Sequence, residues 1–255
     1  MRELSLFTGA GGGVYASRLL GHTVVAYVEK DQYCQRVIKA RISDGTFDDA
    51  PVFDDVRTFD GYAWRGKIDL LTGGFPCQPF SVAGKARAAA DPRNMWPETV
   101  RIIRECRPAL AFLENVPGLL SKRHGYFRTI LRDLAEAGYD AVWDTFSAAE
   151  AGAPHIRKRL FILAALPDAL GERRRETHAA PCGLPTQEPE SPGGGQWWSR
   201  DPAEDSAAES RVGRVAHGVA DRSHRLRALG NGQVPAVVGL AFRTLSAQLV
   251  AEVQS

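Results

Sequence analysis

Short apolar runs punctuate the chain, separated by mixed polar sequence. Leu4 to Phe7, Val24 to Val28, Ile68 to Leu71, Leu110 to Leu113, Ala141 to Phe146 and Leu160 to Leu166 are each of strand length. Between several of them, apolar residues recur at helical spacing. Val14 to Leu20 closes on Gly21, which suits a C-cap; Asp31 is placed to cap a helix running towards Arg41; Glu98 to Cys106 and Phe127 to Ala137 carry a helical period. Strands alternating with helices predict an α/β protein with a doubly wound, mostly parallel, Rossmann-like sheet. The pattern stops near Pro167. From there to about Ser210 the sequence is rich in Pro, Gly, Ser and charge, with neither period. Trp197 and Trp198 argue against a purely disordered linker there, because adjacent indoles bury against something or stack on a ligand. An apolar helical pattern resumes at Ala236 to Val250 and predicts a helix returning to the sheet. The organisation this suggests is a sheet-forming region at 1–166, a small irregular segment at 167–222, and a C-terminal block at 223–255.

Composition adds limits. At 255 residues the chain can bury a full core. Runs such as Leu160 to Leu166 are too short to span a bilayer, so no membrane association is expected. The N-terminus enters a strand-like run with no signal-type core, which places the protein in the cytoplasm. The four cysteines, Cys34, Cys77, Cys106 and Cys182, are scattered and form no C-x-x-C pair, so a reduced compartment fits and no metal site is predicted. A formal charge of +2 does not mark a nucleic-acid binder. Yet Arg211, Arg214, Arg222, Arg225 and Arg227 crowd one segment whose sole acid is Asp221, so any polyanion contact would be local; a solvated face is the plainer reading.

The residues that carry chemistry sit at predicted strand ends. The first βα turn, Phe7 to Gly13, reads FTGAGGG; its glycines let a ligand approach backbone at a helix N-terminus. Glu29 ends the second strand, where a carboxylate can accept from two ribose hydroxyls, and Asp55, in the following segment PVFDDV, can meet an adenine amino group. Tight turns and surface acids are the plain alternatives for these. Cys77 follows the Ile68 to Leu71 run between Pro76 and Pro79. A lone cysteine is usually a small buried hydrophobe, but rigid flanks at a strand end favour a nucleophile. The loop after it, Val82 to Asn94, is basic, with Lys85, Arg87 and Arg93. Glu114 ends the next strand, where a buried carboxylate needs a partner or a proton to manage; capping the turn before Pro117 is its structural alternative.

Five blocks, FTGAGGG (Phe7 to Gly13), GFPCQPFS (Gly74 to Ser81), ENVPG (Glu114 to Gly118), HIRKR (His155 to Arg159) and LGNGQVP (Leu229 to Pro235), occur in the order found in the DNA cytosine-C5 methyltransferases, and the chain resembles that family over nearly all its length except Pro167 to Ser210. The resemblance implies transfer of a methyl group from S-adenosylmethionine to cytosine C5 in double-stranded DNA. Cytosine C5 is too electron-poor to attack a sulfonium methyl directly, so a thiolate first adds to C6. Cys77 resembles that nucleophile, Glu114 the group that holds a proton at N3, and Arg157 the group that supports the O2 side, with Arg159 of the same block also carried over as catalytic. The cytosine must leave the stack to be reached. Cofactor contacts implied are Phe7, Gly9, Gly11, Gly12, Glu29, Asp55, Val56, Pro76 and Asn231. Ser81, Lys85 and Arg87 would close over the extruded nucleotide.

Departures from the family pattern are also visible. His155 stands where Gln is commoner, Gly232 and Gln233 replace a small residue and Val, and the segment from Leu166 to Arg211 is short for a target-recognition region. A short recognition sequence is therefore expected, read by Trp197, Trp198, Arg200 and the Arg211 to Arg227 cluster, Arg211 and Arg214 foremost. A monomer, of bacterial or phage origin and with a restriction endonuclease encoded nearby, completes the expectation. Two alternatives stay open at this level: an RNA methyltransferase, although the Cys-Phe-Thr sequence of the tRNA-acting branch is absent, and a non-catalytic, cofactor-sensing DNA-binding subunit.

Overall fold

The computed structural model describes residues 1–76, 94–121, 125–167 and 221–252. Its centre is a seven-stranded sheet in the order β3-β2-β1-β4-β5-β7-β6. The strands are β1 (Arg2–Leu6), β2 (Thr23–Val28), β3 (Val52–Phe53), β4 (Leu70–Gly73), β5 (Leu110–Asn115), β6 (Asp140–Ser147) and β7 (Lys158–Ala165). The first five pair in parallel, and β7 lies antiparallel to both β5 and β6. Apart from the two-residue edge strand β3, which the apolar runs did not reveal, the parallel strands are largely buried on both faces, which is why they read in sequence as continuous apolar runs rather than as alternation. The chain winds outward from β1 to β3 and then returns to place β4 on the other side of β1. Between β1 and β4 the connections diverge to opposite sides, which opens a crevice at the carboxyl ends of the strands.

β4 begins at Leu70, two residues later than the apolar run suggests, and continues to Gly73. The cause is Asp69, whose carboxylate holds the Arg2 backbone N–H at 2.8 Å and the Arg2 guanidinium at 2.7 Å and so fixes the entry to the strand. Gly73 completes the ladder by pairing with Leu6 on one side and Leu113 on the other.

Helices α1 (Gly12–Leu19), α2 (Gln32–Ser43), α3 (Trp96–Cys106) and α4 (Tyr126–Glu136) connect the strands. Asp31 caps α2 as its position predicts, accepting from the N–H groups of Tyr33 at 2.9 Å and Cys34 at 3.0 Å. Gly21 after α1 has φ 71°, a conformation that favours glycine. α3 starts earlier than predicted, at Trp96, because Pro97 fits the first helical turn. α3 and α4 pack Trp96, Ile103, Ile130 and Leu134 on one sheet face.

At the C-terminal end, α5 (Arg222–Asn231) precedes α6 (Pro235–Glu252). α6 covers the opposite face, burying Val238, Phe242 and Leu245 beside Phe112 and Phe161. By length and composition alone, Ser223–Ala251 could pass for a membrane span, against the expectation from the sequence. The apolar content of α6 is explained by this packing on the sheet. α5 was not foreseen, since its sequence is polar all round and carries no apolar period. Apart from Pro167, Asp221 and Arg222, the expected recognition segment 167–222 lies outside the described residues.

Candidate active site

The carboxyl ends of β1, β2, β4 and β5 open into one cavity of about 700 Å³, closed on one side by α5. Its floor begins at Phe7, the residue after β1, which takes φ 51°, in the left-handed region seldom used by aromatic residues. That bend turns the chain so that Gly9 N–H points at Glu29. Glu29 then ties two strand ends together: Oε2 accepts from Gly9 N at 2.7 Å and Oε1 from Asp31 N at 2.7 Å. Burial pushes the Glu29 carboxyl upward in pKa, and these two N–H groups work against that rise.

The glycine-rich turn divides into two roles. Phe7 and Gly9 line the cavity, whereas Gly11 and Gly12 do not. At Gly11, with φ 88°, a side chain would collide with the Phe47 ring; at Gly12 it would collide with the Gln233 backbone carbonyl. Those two glycines let neighbouring structure close in on the start of α1. Asp55 and Val56 reach the cavity from the segment after β3. Asp55 is held by Lys30 at 2.9 Å and lies 3.7 Å from Arg57, and its pKa is lowered, chiefly by the Arg57 backbone N–H and then by Lys30.

On the other side of the crevice, β4 delivers Gly74, Phe75 and Pro76 to the cavity, and β5 delivers Glu114. Gly74 permits the two to sit together: a Cβ there would stand 2.8 Å from Glu114 Oε2. Asn115 is buried and donates from Nδ2 to the Phe75 carbonyl at 3.1 Å, while its Oδ1 accepts from Val116 N at 2.8 Å. It therefore fixes the residue before Pro76, a role its place in the ENVPG block did not reveal. Cys77 follows Pro76 in the chain and lies outside the described residues, as do Ser81, Lys85, Arg87, Trp197, Trp198, Arg200, Arg211 and Arg214.

Glu114 meets several charged and polar groups in the cavity. Its side chain is 13% exposed, and Arg159 Nε lies 2.9 Å from Oε1. Desolvation raises its pKa; Arg159, a hydrogen bond from Gln233 and the charge of Arg157 oppose the rise. The two arginines of the HIRKR block separate in space. Arg159, on β7, lines the cavity, whereas Arg157 does not and instead donates through Nη2 to the carbonyls of Gly230 at 2.9 Å and Gly232 at 2.6 Å. Burial lowers the Arg157 pKa. Asn231 lines the cavity between those two carbonyl anchors, and on α5 His224 stacks on Tyr33 at 5.6 Å. His224 is a cavity residue that the sequence did not mark out, because its partner Tyr33 is distant in the chain; Arg227, which also lines the cavity, reads in sequence only as part of a basic cluster, and Gln233, a partner of Glu114, only as a departure from the family pattern.

Comparison with known proteins gives the same direction. The family profile described as C-5 cytosine-specific DNA methylase matches residues 1–190. The chain is 35% identical over 163 residues to the Type II methyltransferase M.NgoMIV of Neisseria gonorrhoeae, covering 64% of this chain and 51% of that protein. It is 36% identical over 187 residues to the Type II methyltransferase M.AluI of Cellulosimicrobium cellulans, covering 67% and 35%. The chain thus spans about half or less of the length of these two relatives. Among solved structures, one provisionally assigned as a DNA modification methyltransferase encoded within an E. coli prophage aligns with a TM-score of 0.55 at 26% identity, covering 66% of this chain and 47% of that one.

Proposed function

The chain belongs to the C-5 cytosine-specific DNA methylase family, and from that premise we propose that it transfers a methyl group from S-adenosylmethionine to C5 of cytosine in double-stranded DNA, through a covalent Cys77 adduct at C6 of an extruded base. The observation that carries the reading is the convergence of Glu29, Pro76 and Glu114 on one cavity at the strand ends. It joins a ribose-type carboxylate, the residue before the nucleophile, and a buried acid.

The residues present fit the cofactor. The Glu29 oxygens accept from the backbone N–H groups of Gly9 and Asp31, and a carboxylate has further lone pairs that ribose hydroxyls can use. Phe7, Val28, Val56 and Phe75 supply apolar wall, and the cavity volume lies in the range of small-molecule sites. When bound, S-adenosylmethionine supplies the electrophilic methyl group that C5 accepts.

The chain's own residues then act on the base. The Cys77 thiolate adds to C6, and the electron pair of the C5–C6 double bond moves into the ring towards N3 and O2. Burial favours the protonated form of Glu114, and a protonated carboxyl there can hold a proton at N3 as that charge develops. Arg159 keeps that carboxyl in place. Once C5 is methylated, its proton leaves to a base, the C5–H electron pair re-forms the C5–C6 double bond, and the Cys77 sulfur departs with its bonding pair. Ser81, Lys85 and Arg87 would close over the base, and Trp197, Trp198, Arg200, Arg211 and Arg214 would read a short sequence beside it.

We further propose a monomer that acts on DNA in the cytoplasm beside a restriction endonuclease, a pairing that the Type II names of the relatives suggest. Expression in a host free of cytosine methylation, followed by bisulfite sequencing, tests both substrate and site. Methylation at a short cytosine context is expected; unmodified DNA would overturn the activity, and a long defined motif would overturn the short site.

A further inference from the structure

We infer that Gln233 is a positioning residue for Glu114, holding the carboxyl across the exit of β4; this rests on the methyl-transfer reading above. The carboxyl has two oxygens to place. Arg159 takes Oε1 at 2.9 Å. Oε2 lies on the Gly74 side, where a Cβ would be 2.8 Å from it and 3.3 Å from Gln233 Nε2, and the Gln233 side chain hydrogen-bonds the Glu114 carboxylate. A carboxyl with Arg159 and Gln233 as partners is restrained in rotation, and a group that must meet one ring nitrogen benefits from that restraint.

Gln233 itself has little freedom. Its backbone carbonyl packs where a Gly12 side chain would be, and its Oε1 packs where a Gly13 side chain would be. Two glycines at the start of α1 thus form a notch shaped for this residue. The carboxamide oxygen faces the helix N-terminus and the amide nitrogen faces the carboxylate, so each end meets the charge that suits it. On either side the backbone is fixed as well. Arg157 holds the carbonyls of Gly230 and Gly232, and the Val234 carbonyl accepts from Val237 N at 3.0 Å and Val238 N at 3.1 Å at the start of α6. The neighbours Asn231 and Gly232 line the cavity, so the same short segment borders the cofactor region and sets the acid.

Gln233→Met tests this, because it keeps the volume that fills the notch and removes the donor; Gln233→Ala, which only deletes atoms, serves if the first variant does not fold. Carbon-13 NMR of labelled glutamate in the free protein reads the contact whether or not the chain methylates DNA. Loss of the donor should move the Glu114 titration to higher pH, and an unmoved titration would overturn the contact. Single-turnover methyl transfer should slow by about tenfold or more, with cofactor affinity within about twofold of wild type. An unchanged rate, or an affinity loss that accounts for the whole rate loss, would overturn the positioning role. A wild-type chain that transfers no methyl group would sink the parent reading alone, and the titration would still decide the Gln233 contact.

Discussion

Glu114 shows how one residue acquires chemistry from its surroundings. A glutamate at a strand end is unremarkable in sequence; here burial raises its pKa while Arg159, Gln233 and Arg157 restrain the rise. Because the folded pKa stands above the unfolded one, Glu114 contributes stability that is fully present below the unfolded pKa and is lost as pH rises through the folded value. The melting temperature of wild type relative to Glu114→Gln should therefore fall across that rise, and a pH-independent difference would mean that burial does not dominate. Arg159→Leu removes the closest cation and should raise the Glu114 titration further, readable by the same labelled-glutamate NMR. At the nucleophile, Cys77→Ala should abolish methyl transfer, and Cys77→Ser should leave at most trace activity because a hydroxyl is a far weaker nucleophile at neutral pH. Substantial turnover by either variant in a clean preparation contradicts the role given to Cys77. Of these residues, Cys77 and Glu114 were legible from their motifs, whereas Gln233 looked like a mere departure, since Glu114, Gly12 and Gly13 lie more than a hundred positions away in the chain.

Among the elements, those with strong apolar patterns were the easiest to read. β1, β2 and β5 are buried on both faces and α2 carries its own cap, so local sequence specifies them. The antiparallel direction of β7 was not legible, because a run of apolar residues carries no sign of the partner strand's orientation. α5 was missed for the opposite reason: it is polar and exposed, and it is placed by its neighbours, including the stack of His224 on Tyr33. The start of α1 offers a test at this scale. Gly12→Ala would drive a methyl group into the Gln233 carbonyl, and neither group is the free end of a flexible side chain. The expected cost is about 1–3 kcal/mol in urea unfolding, accompanied by slower methyl transfer. A variant as stable and active as wild type would show that α1 and the 230–234 segment do not need this close fit.

For the molecule as a whole, the order of the sheet decides where the chemistry lies. Parallel strands divide between β1 and β4, and the ends of both halves supply the same cavity: Glu29 from one side, Pro76 and Glu114 from the other. The doubly wound class was predictable from alternating strands and helices, and the edge that carries the site followed from it. How a cytosine is chosen was not, because base readout depends on side chains presented to a groove and not on any local period. The central claim is that Cys77, next in the chain after the cavity residue Pro76, attacks an extruded cytosine under the control of Glu114. Its most direct test is incubation with duplex DNA carrying 5-fluorocytosine at a methylated site, in the presence of S-adenosylmethionine, followed by denaturing electrophoresis and peptide mapping. Fluorine at C5 blocks the final elimination, so a covalent protein–DNA adduct mapped to Cys77 and lost in Cys77→Ala is the predicted result. No adduct with DNA that the protein methylates, or an adduct at another residue, would contradict the mechanism.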